Sequence, residues 1–225
     1  MTLMTLSSYG RREILIICLL SLALICGCVV LKLWWAIIPV AIFGLGLLAF
    51  FRDPKRVIPT REGILVSPAD GVVSSVHDVD HYDLFDEPAS CVRIFLSVLD
   101  VHVTRVRCAG KVGEITDKKG LFRNAQNPDS AEVNASKRFP IIDPNTGETI
   151  AAVRQVVGMI ARQIVCGVEE GDSLERGERF GMMKFGSTAE VYVPKRFAPK
   201  VLVKQGERVW GGKTELIEIS SGDDE

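Results

Sequence analysis

The sequence predicts a mainly β protein of the α+β class. We expect an antiparallel β-sandwich or barrel-like soluble domain with pseudo-symmetric hairpins, preceded by an N-terminal hydrophobic helical hairpin. Two observations predict this: residues 14–51 are almost entirely apolar, and short β-branched runs separated by glycine turns follow them. Such runs favour antiparallel sheets over β-α-β units. We therefore divide the chain into a membrane-anchoring segment, residues 1–51, and a second domain, residues 52–225.

The N-terminal segment contains two apolar runs, residues 14–31 and 33–51, separated by Lys32. Each run approaches the ~20 residues that span a bilayer as a helix. Basic residues flank the pair at both outer ends: Arg11, Arg12, Arg52, Lys55 and Arg56. The positive-inside rule then predicts a hairpin in the cell membrane with the second domain on the cytoplasmic side. A single span with an interfacial second run and a cleaved signal peptide are the alternatives.

The second domain is predicted to consist of short strands joined by tight turns. We expect strands at 63–67, 71–76, 91–98, 110–115, 151–168, 189–193, 200–204 and 215–219. Residues 168–177 and 203–212 share the pattern V-x-x-G-[DE]-x-[LV]-x-x-G, which predicts two related strand-turn-strand units. The polar stretch 117–150 is longer than an ordinary connection, so we expect a lid near the membrane there.

Composition argues against two classes of partner. With 27 basic and 28 acidic residues, the chain has no excess positive charge for nucleic acid. The 6 cysteines include no C-x-x-C pair, so we expect reduced thiols and no metal site. His77 and His81 in an acidic loop could be read as metal ligands, but the sequence fixes no third ligand.

Three short segments carry candidate chemistry. Asp70 lies in SPADGVV, where Asp-Gly between β-runs is also a common hairpin turn. His102 lies in LSVLDVHVTRV, where strand alternation would put it on the same face as Asp100; a lone strand histidine can also be structural. Ser187 follows Gly186 in FGST, which by default is a bulge or tight turn at a strand entrance.

Together these three segments could cleave the chain. Glycine tolerates the backbone conformations that would let the Ser187 hydroxyl reach the Gly186 carbonyl. Attack there converts the amide to an ester and needs a base and oxyanion donors. Asp70 orienting His102, and His102 taking the Ser187 proton, would supply the base.

Several motifs resemble those of the phosphatidylserine decarboxylase family, in its short form. The resemblance covers roughly residues 50–217 and rests on FFRDPKRVIP, SPADGVV, FLSVLDVHVTRV and the segment from GMIARQIV to FGSTAEVYVP. It implies a proenzyme that cuts itself between Gly186 and Ser187 into a β chain (residues 1–186) and an α chain (residues 187–225). Ser187 would become a covalent pyruvoyl group, without an external cofactor or metal.

The resemblance also implies the reaction and the partners. The pyruvoyl carbonyl would form a Schiff base with the amine of phosphatidylserine and accept the electron pair released with CO₂, giving phosphatidylethanolamine. Ser187, His102 and Asp70 would be the catalytic residues. The phospholipid membrane would be the partner, with possible homo-oligomers of processed chains, and the acyl linkage, ester or ether, stays open.

The match to the family is not uniform. Some members have a second histidine three residues after the first, and Arg105 occupies that position here. His102 would then perform both proton transfers, or another group would share them. The stretch around Asn124 and Asn134 keeps the N-A and E-x-N elements without the more charged run expected after Asn134.

A carrier protein is the alternative from a different class. PADGVV and VLVKQGERVWGG resemble biotinyl or lipoyl-like domains, or a membrane adaptor built on one, and Lys184 in MKF could be a carrier lysine. A carrier would present that lysine on an exposed tight turn and would have no use for His102.

Overall fold

The computed structural model describes residues 5–124, 130–159, 163–184 and 186–220. The chain divides into two compact units, Met1–Lys55 and Arg56–Glu225, which we call the first and second units.

The first unit consists of two packed helices, α1 (Arg11–Val30) and α2 (Trp34–Phe50). Gly44 lies so close to α1 that a Cβ there would be 2.6 Å from Ser21 Oγ, a small-residue contact of the kind that joins membrane helices. Lys32 reverses the chain with a left-handed φ of 55°. The predicted pair of apolar helices is therefore present.

Only one of the described helices is long enough to cross a bilayer. Ser8–Val30 has a mean hydropathy of 2.8 over its most apolar window, whereas α2 is 17 residues long. The exposed Trp34 and Trp35 begin α2. These features suggest membrane association, and the two-span topology stays a prediction.

The second unit is mainly β. Its strands are β1 (Ile64–Val66), β2 (Gly71–Tyr82), β3 (Glu87–Leu96), β4 (Val103–Arg105), β5 (Gly110–Val112), β6 (Thr116–Lys118), β7 (Ser136–Ile142), β8 (Thr149–Val156), β9 (Ile164–Cys166), β10 (Ser173–Leu174), β11 (Arg179–Met183), β12 (Ser187–Pro194), β13 (Lys200–Val201), β14 (Arg208–Val209) and β15 (Glu215–Glu218). One short helix, α3 (Ser130–Val133), precedes β7 among the described residues.

These strands form one large and two small antiparallel sheets. Over the described ranges, the large sheet has the order β10-β5-β7-β8-β12-β3-β2-β14, with β6 beside β7. The small sheets have the orders β1-β15-β13 and β4-β11-β9. The antiparallel β class is confirmed; the described strands form no closed barrel.

A single row of paired residues crosses six strands of the large sheet. The row runs Ser136, Val156, Thr188, Phe95, Val72, Arg208, each paired with the next. Because neighbouring strands are antiparallel, three of the six run towards the strand ends beyond this row and three run away from them. We call the strand ends and turns beyond it, on the side of Ser187, the Ser187 edge.

The two faces of the large sheet differ in character. Side chains at alternate β12 positions, including Ala189 and Val191, enter the main hydrophobic core. On the opposite face the fully buried Glu190 accepts hydrogen bonds from Arg93 Nε at 2.7 Å and from the Tyr192 hydroxyl at 2.8 Å. Burial raises the pKa of Tyr192, so its hydroxyl stays protonated and donates. Arg154 Nη1 completes the network at 3.3 Å from Glu190.

The predicted lid is wrong. Within residues 117–150 the described chain forms the end of β6, α3, all of β7 and the first residues of β8. Phe139 and Ile141 are almost fully buried and place β7 in the sheet, although charged neighbours make the segment look polar. Residues 125–129 lie outside the described ranges.

Two further expectations about local structure need correction. The acidic segment 77–82, read as a loop, extends β2 as far as Tyr82. The predicted strand through His102 is interrupted, because Ser97–Asp100 forms a turn closed by the Asp100 amide donating to Ser97 O at 2.9 Å. Strand structure resumes at Val103, so alternation across residues 98–102 does not hold.

The sequence repeat corresponds to two turns with matching hydrogen bonds. Glu169 N donates to Asp172 Oδ2 in the first, and Lys204 N donates to Glu207 Oε2 in the second. The glycines at the turn, Gly171 and Gly206, have φ of 90° and 85°. The predicted pair of related units is therefore present.

We predict that Glu190→Gln destabilises the second unit by about 3 kcal/mol, because it leaves Arg93 and Arg154 without their buried carboxylate. Urea unfolding of the purified chain measures this change. The control is Asp117→Asn, which breaks the exposed pair with Lys137 and should cost less than about 1 kcal/mol. Equal effects of the two substitutions would contradict a structural role for the Glu190 network.

Candidate active site

Ser187 is the first residue of β12, and its side chain is closed off from solvent. The residue is 1% exposed, and its hydroxyl has no hydrogen-bond partner among the described residues. A buried hydroxyl normally has a partner, since leaving it unpaired is costly. An unsatisfied serine at a strand start is therefore a candidate for a reacting group rather than a packing residue.

Gly186 supplies the bend ahead of Ser187. Its φ is 58°, in the left-handed region that glycine adopts without a steric penalty. A Cβ at this position would meet no atom within 4 Å, so glycine is required by backbone conformation and not by crowding. The amide bond between Gly186 and Ser187 thus lies at the junction between a bend and strand β12.

His102 is fully buried beside the same segment. Its Nδ1 lies 2.9 Å from the Asp100 carbonyl oxygen, so the ring donates from Nδ1 and leaves Nε2 as the basic nitrogen. The carbonyl of His102 accepts from Met183 N at 3.0 Å. Since Leu96 pairs with Ser187, both ends of the segment from Leu96 to His102 are tied to the chain around Ser187.

Asp100 fixes the shape of that segment. It is 1% exposed, its Oδ2 accepts from Ser97 N at 2.8 Å, and its Oδ1 accepts from the Arg208 guanidinium. One buried residue thus closes the turn with its carboxylate and orients His102 with its carbonyl. The sequence predicts no role for Asp100; its position two residues before a candidate histidine is the only signal there.

Asp70 lies at the same edge of the sheet, just before β2. Its carboxylate accepts from Arg56 Nη2 at 2.6 Å and from Gly211 N at 2.7 Å. Burial raises the pKa of Asp70 above its ordinary value, while Arg56 and the Gly211 amide oppose that rise. Arg56 is therefore engaged by Asp70 and is not simply a juxtamembrane cation.

The register places Ser187 and Asp70 at the Ser187 edge, and the segment that leads to His102 leaves β3 at the same edge. Ser187 adjoins Thr188 of the row, and Asp70 lies two residues before Val72 of the same row. Strands β12 and β2 are separated by β3, so their backbones are about 10 Å apart. The Asp-Gly pair at 70 and 71 is not a hairpin turn, because β2 begins at Gly71 and pairs with β3 and β14.

Arg105, at the position where some family members have a second histidine, makes structural contacts. It is 5% exposed and donates from Nη1 to Gly177 O at 3.1 Å, while its amide donates to Pro68 O at 2.8 Å. The guanidinium thus contacts Gly177, the last residue of the first repeat. An arginine cannot serve as a base at neutral pH.

Asn134 is a structural residue at this edge. Its Nδ2 donates to Arg123 O and to Val157 O, both at 2.9 Å, and its Oδ1 accepts from Arg123 N at 2.8 Å. These contacts attach the loop before α3 to the end of β8. Asn124, the asparagine of the N-A element, is exposed.

Lys184 does not fit the carrier alternative. It is 9% exposed, and its ammonium donates to Gln163 Oε1 at 3.0 Å. A carrier lysine must be accessible to the enzyme that modifies it. Within the described ranges, no three His, Cys, Asp or Glu side chains are grouped so as to hold a metal ion.

Comparison with known proteins identifies the family. A family model described as phosphatidylserine decarboxylase matches residues 43–216. The chain belongs to the phosphatidylserine decarboxylase family. Curated proteins of this family are similar to the chain over most of their own lengths.

Three relatives illustrate the similarity, and each is named phosphatidylserine decarboxylase proenzyme. The protein of Syntrophus aciditrophicus is 42% identical over 74% of this chain and 76% of its own. That of Oleidesulfovibrio alaskensis is 45% identical over 74% of each chain. The protein of Rhodopirellula baltica is 36% identical over 95% of this chain and 88% of its own.

Proposed function

We propose that this chain is a pyruvoyl-dependent carboxy-lyase that converts phosphatidylserine to phosphatidylethanolamine and CO₂. The observation that carries the proposal is the buried, unsatisfied Ser187 hydroxyl directly after left-handed Gly186, in a chain of this family. An ordinary structural serine in a sheet would need neither feature.

Maturation begins with attack of Ser187 Oγ on the Gly186 carbonyl carbon. His102 Nε2 accepts the hydroxyl proton, the new C–O bond forms, and the C–N bond breaks as the amine takes a proton. Loss of the Ser187 Cα proton and cleavage of the Cβ–O bond then release the Gly186 carboxylate. Tautomerisation and hydrolysis by water expel ammonia and leave a ketone at residue 187.

The residues around position 187 fit a group made in this way. The ketone would lie at a buried position. The Ser187 hydroxyl from which it forms has no hydrogen bond to a described residue that would have to be broken first. A pyruvoyl group supplies an electron-accepting carbonyl for the decarboxylation. His102 is proposed to hold or move a proton there: its carbonyl accepts from Met183 N, four residues before Ser187, and its tautomer is set by Asp100 O.

Asp70 is proposed to act electrostatically at the same edge. Its carboxylate accepts hydrogen bonds from Arg56 and from the Gly211 amide. These bonds fix the position of the carboxylate and partly neutralise its negative charge. Since the described acceptor of His102 Nδ1 is Asp100 O, we assign the orientation of the imidazole to Asp100. Asp70 would then stabilise the positive charge that His102 gains during proton transfer.

The first unit is proposed to anchor the enzyme in the cell membrane with the second unit on the cytoplasmic side. Pulling a diacyl lipid into water costs about 0.8 kcal/mol per exposed methylene, so an anchored enzyme would reach the head group with the tails left in the bilayer. Association of processed chains into homo-oligomers stays a prediction.

We predict that Ser187→Ala abolishes both cleavage and CO₂ release, because no hydroxyl remains to attack Gly186. Electrophoresis and mass spectrometry of the purified chain, with a radiolabelled phosphatidylserine assay, measure the two effects. Ser90→Ala is the matched control, since Ser90 is a buried serine on the neighbouring strand that donates to Asp78. An uncut Ser187→Ala chain that still releases CO₂ would refute the pyruvoyl mechanism.

A second prediction concerns the base. His102→Asn keeps a donor near Asp100 O but removes the proton acceptor, so processing should slow by about 10²-fold or more. A time course of chain cleavage after synthesis in vitro measures this rate. His77→Asn on β2 is the control and should process at the wild-type rate. Normal processing of His102→Asn would exclude His102 as the base.

A third prediction tests the positioning of His102 through Asp100. Arg208→Gln removes the cation beside the buried Asp100 carboxylate, and we expect about tenfold slower processing and decarboxylation. Arg208→Lys should restore most of both rates, while KM for phosphatidylserine stays unchanged. The control is Arg196→Gln, which breaks a contact with Glu87 far along the sheet. Failure of lysine to restore either rate would argue against this electrostatic role.

A further inference from the structure

The exposed apolar side chains of the second unit are concentrated at one place. Among its described residues, every exposed large apolar side chain except Val76 lies at the Ser187 edge or beside it. They are Val57, Val98, Leu99, Leu121, Phe122, Met159 and Trp210. A random distribution would scatter such residues over the whole surface, as is usual for a soluble domain.

The register of the large sheet gives each of these residues its place. Val98 and Leu99 follow Leu96, which pairs with Ser187. Met159 lies three residues beyond Val156 of the row, and Trp210 follows Val209, which pairs with Gly71. Leu121 adjoins Ala135, whose amide donates to Leu121 O at 3.0 Å, next to Ser136 of the row. Val57 follows Arg56, the partner of Asp70.

Three of these apolar turns are held by buried polar side chains. Asp100 closes the turn that carries Val98 and Leu99. Asn134 ties the loop that carries Leu121 and Phe122 to β8. Each turn therefore has a fixed shape, and the exposure of its apolar side chains is specified by the fold.

The third turn carries Trp210 and is fixed from both sides. Trp210 N donates to Thr214 Oγ1 at 2.9 Å, and the next amide, Gly211 N, donates to Asp70 at 2.7 Å. The ammonium of Lys213 lies 5.8 Å from the centre of the Trp210 ring. Tryptophan beside lysine is the pairing typical of a membrane–water interface.

Exposed basic side chains accompany the apolar ones. Arg123 follows Phe122, and Lys213 contacts Trp210; both basic residues are exposed. Apolar projections flanked by cations suit an anionic lipid surface. A protein partner seated on the same turns would cover the edge that holds Ser187, whereas a bilayer would bring a lipid head group to it.

We propose that the Ser187 edge is a membrane-docking rim, in which Leu99, Phe122, Met159 and Trp210 insert into the interface of an anionic bilayer around the active site. This surface belongs to the second unit and acts in addition to the N-terminal helices. The inference rests on the proposed function, because the substrate is a lipid. The rim keeps the acyl chains in the bilayer while the head group enters.

The first test compares two substrates with the full-length, processed enzyme. Leu99→Ser combined with Trp210→Ser should lower turnover of dioleoyl phosphatidylserine in vesicles by at least about tenfold, since it removes apolar surface from the contact. Turnover of monomeric dihexanoyl phosphatidylserine should change by less than about twofold. The control is Val76→Ser, the exposed apolar residue outside the rim, which should leave both rates unchanged.

The outcomes separate this inference from the proposed function. Unchanged turnover on vesicles, or equal losses on the two substrates, would overturn the rim. If the wild-type enzyme turns over neither substrate, the proposed function itself fails.

A second test does not depend on activity. Trp34→Phe and Trp35→Phe leave Trp210 as the only tryptophan of the 3 in the chain. In phosphatidylserine-containing vesicles with brominated acyl chains, Trp210 fluorescence should be quenched relative to unbrominated vesicles. Equal fluorescence in both kinds of vesicle would show that Trp210 stays in water and would overturn the rim.

Discussion

The antiparallel pairing of six strands at one row, from Ser136 to Arg208, is the constraint on which the site depends. Backbone hydrogen bonding fixes this register, and a slip by one residue would turn every side chain to the other face. Because Thr188 lies in the row, the bond before Ser187 is held at the edge of the sheet. Asp70 and the segment leading to His102 reach the same edge from neighbouring strands.

Buried polar side chains then convert this edge into a shaped site. Three side chains that are nearly inaccessible to water form hydrogen bonds with backbone groups of a turn or loop. They are those of Asp100, Asn134 and Asp70. A buried polar group is stable only when its partners are in place, so these residues fix their turns in one conformation. The same residues hold the turns that carry the exposed apolar side chains of the proposed membrane-docking rim.

Much of this could be predicted from the sequence. The apolar helices, the antiparallel β class, the internal repeat and the strand entrance at Ser187 follow from local patterns, since periodicity and glycine positions report on local conformation. The polar stretch 117–150 does not look like a strand, because charged residues surround the buried Phe139 and Ile141 of β7. The turn at Ser97–Asp100 was not predicted either. The polar Asp100 between apolar neighbours has the alternating pattern of a strand, although its side chain closes a turn.

The sequence by itself determined which groups are available: the Gly186–Ser187 bond, His102, the Asp70 carboxylate and an apolar N-terminal segment. It also contains the motifs of the family. Only the tertiary structure decided which of them meet. The partner of Asp70 is Arg56, the carbonyl that orients His102 belongs to Asp100, and Arg208 comes from a strand 108 residues away to neutralise Asp100. Such pairings depend on strand register and burial, and residues distant in the chain carry no local signal of either.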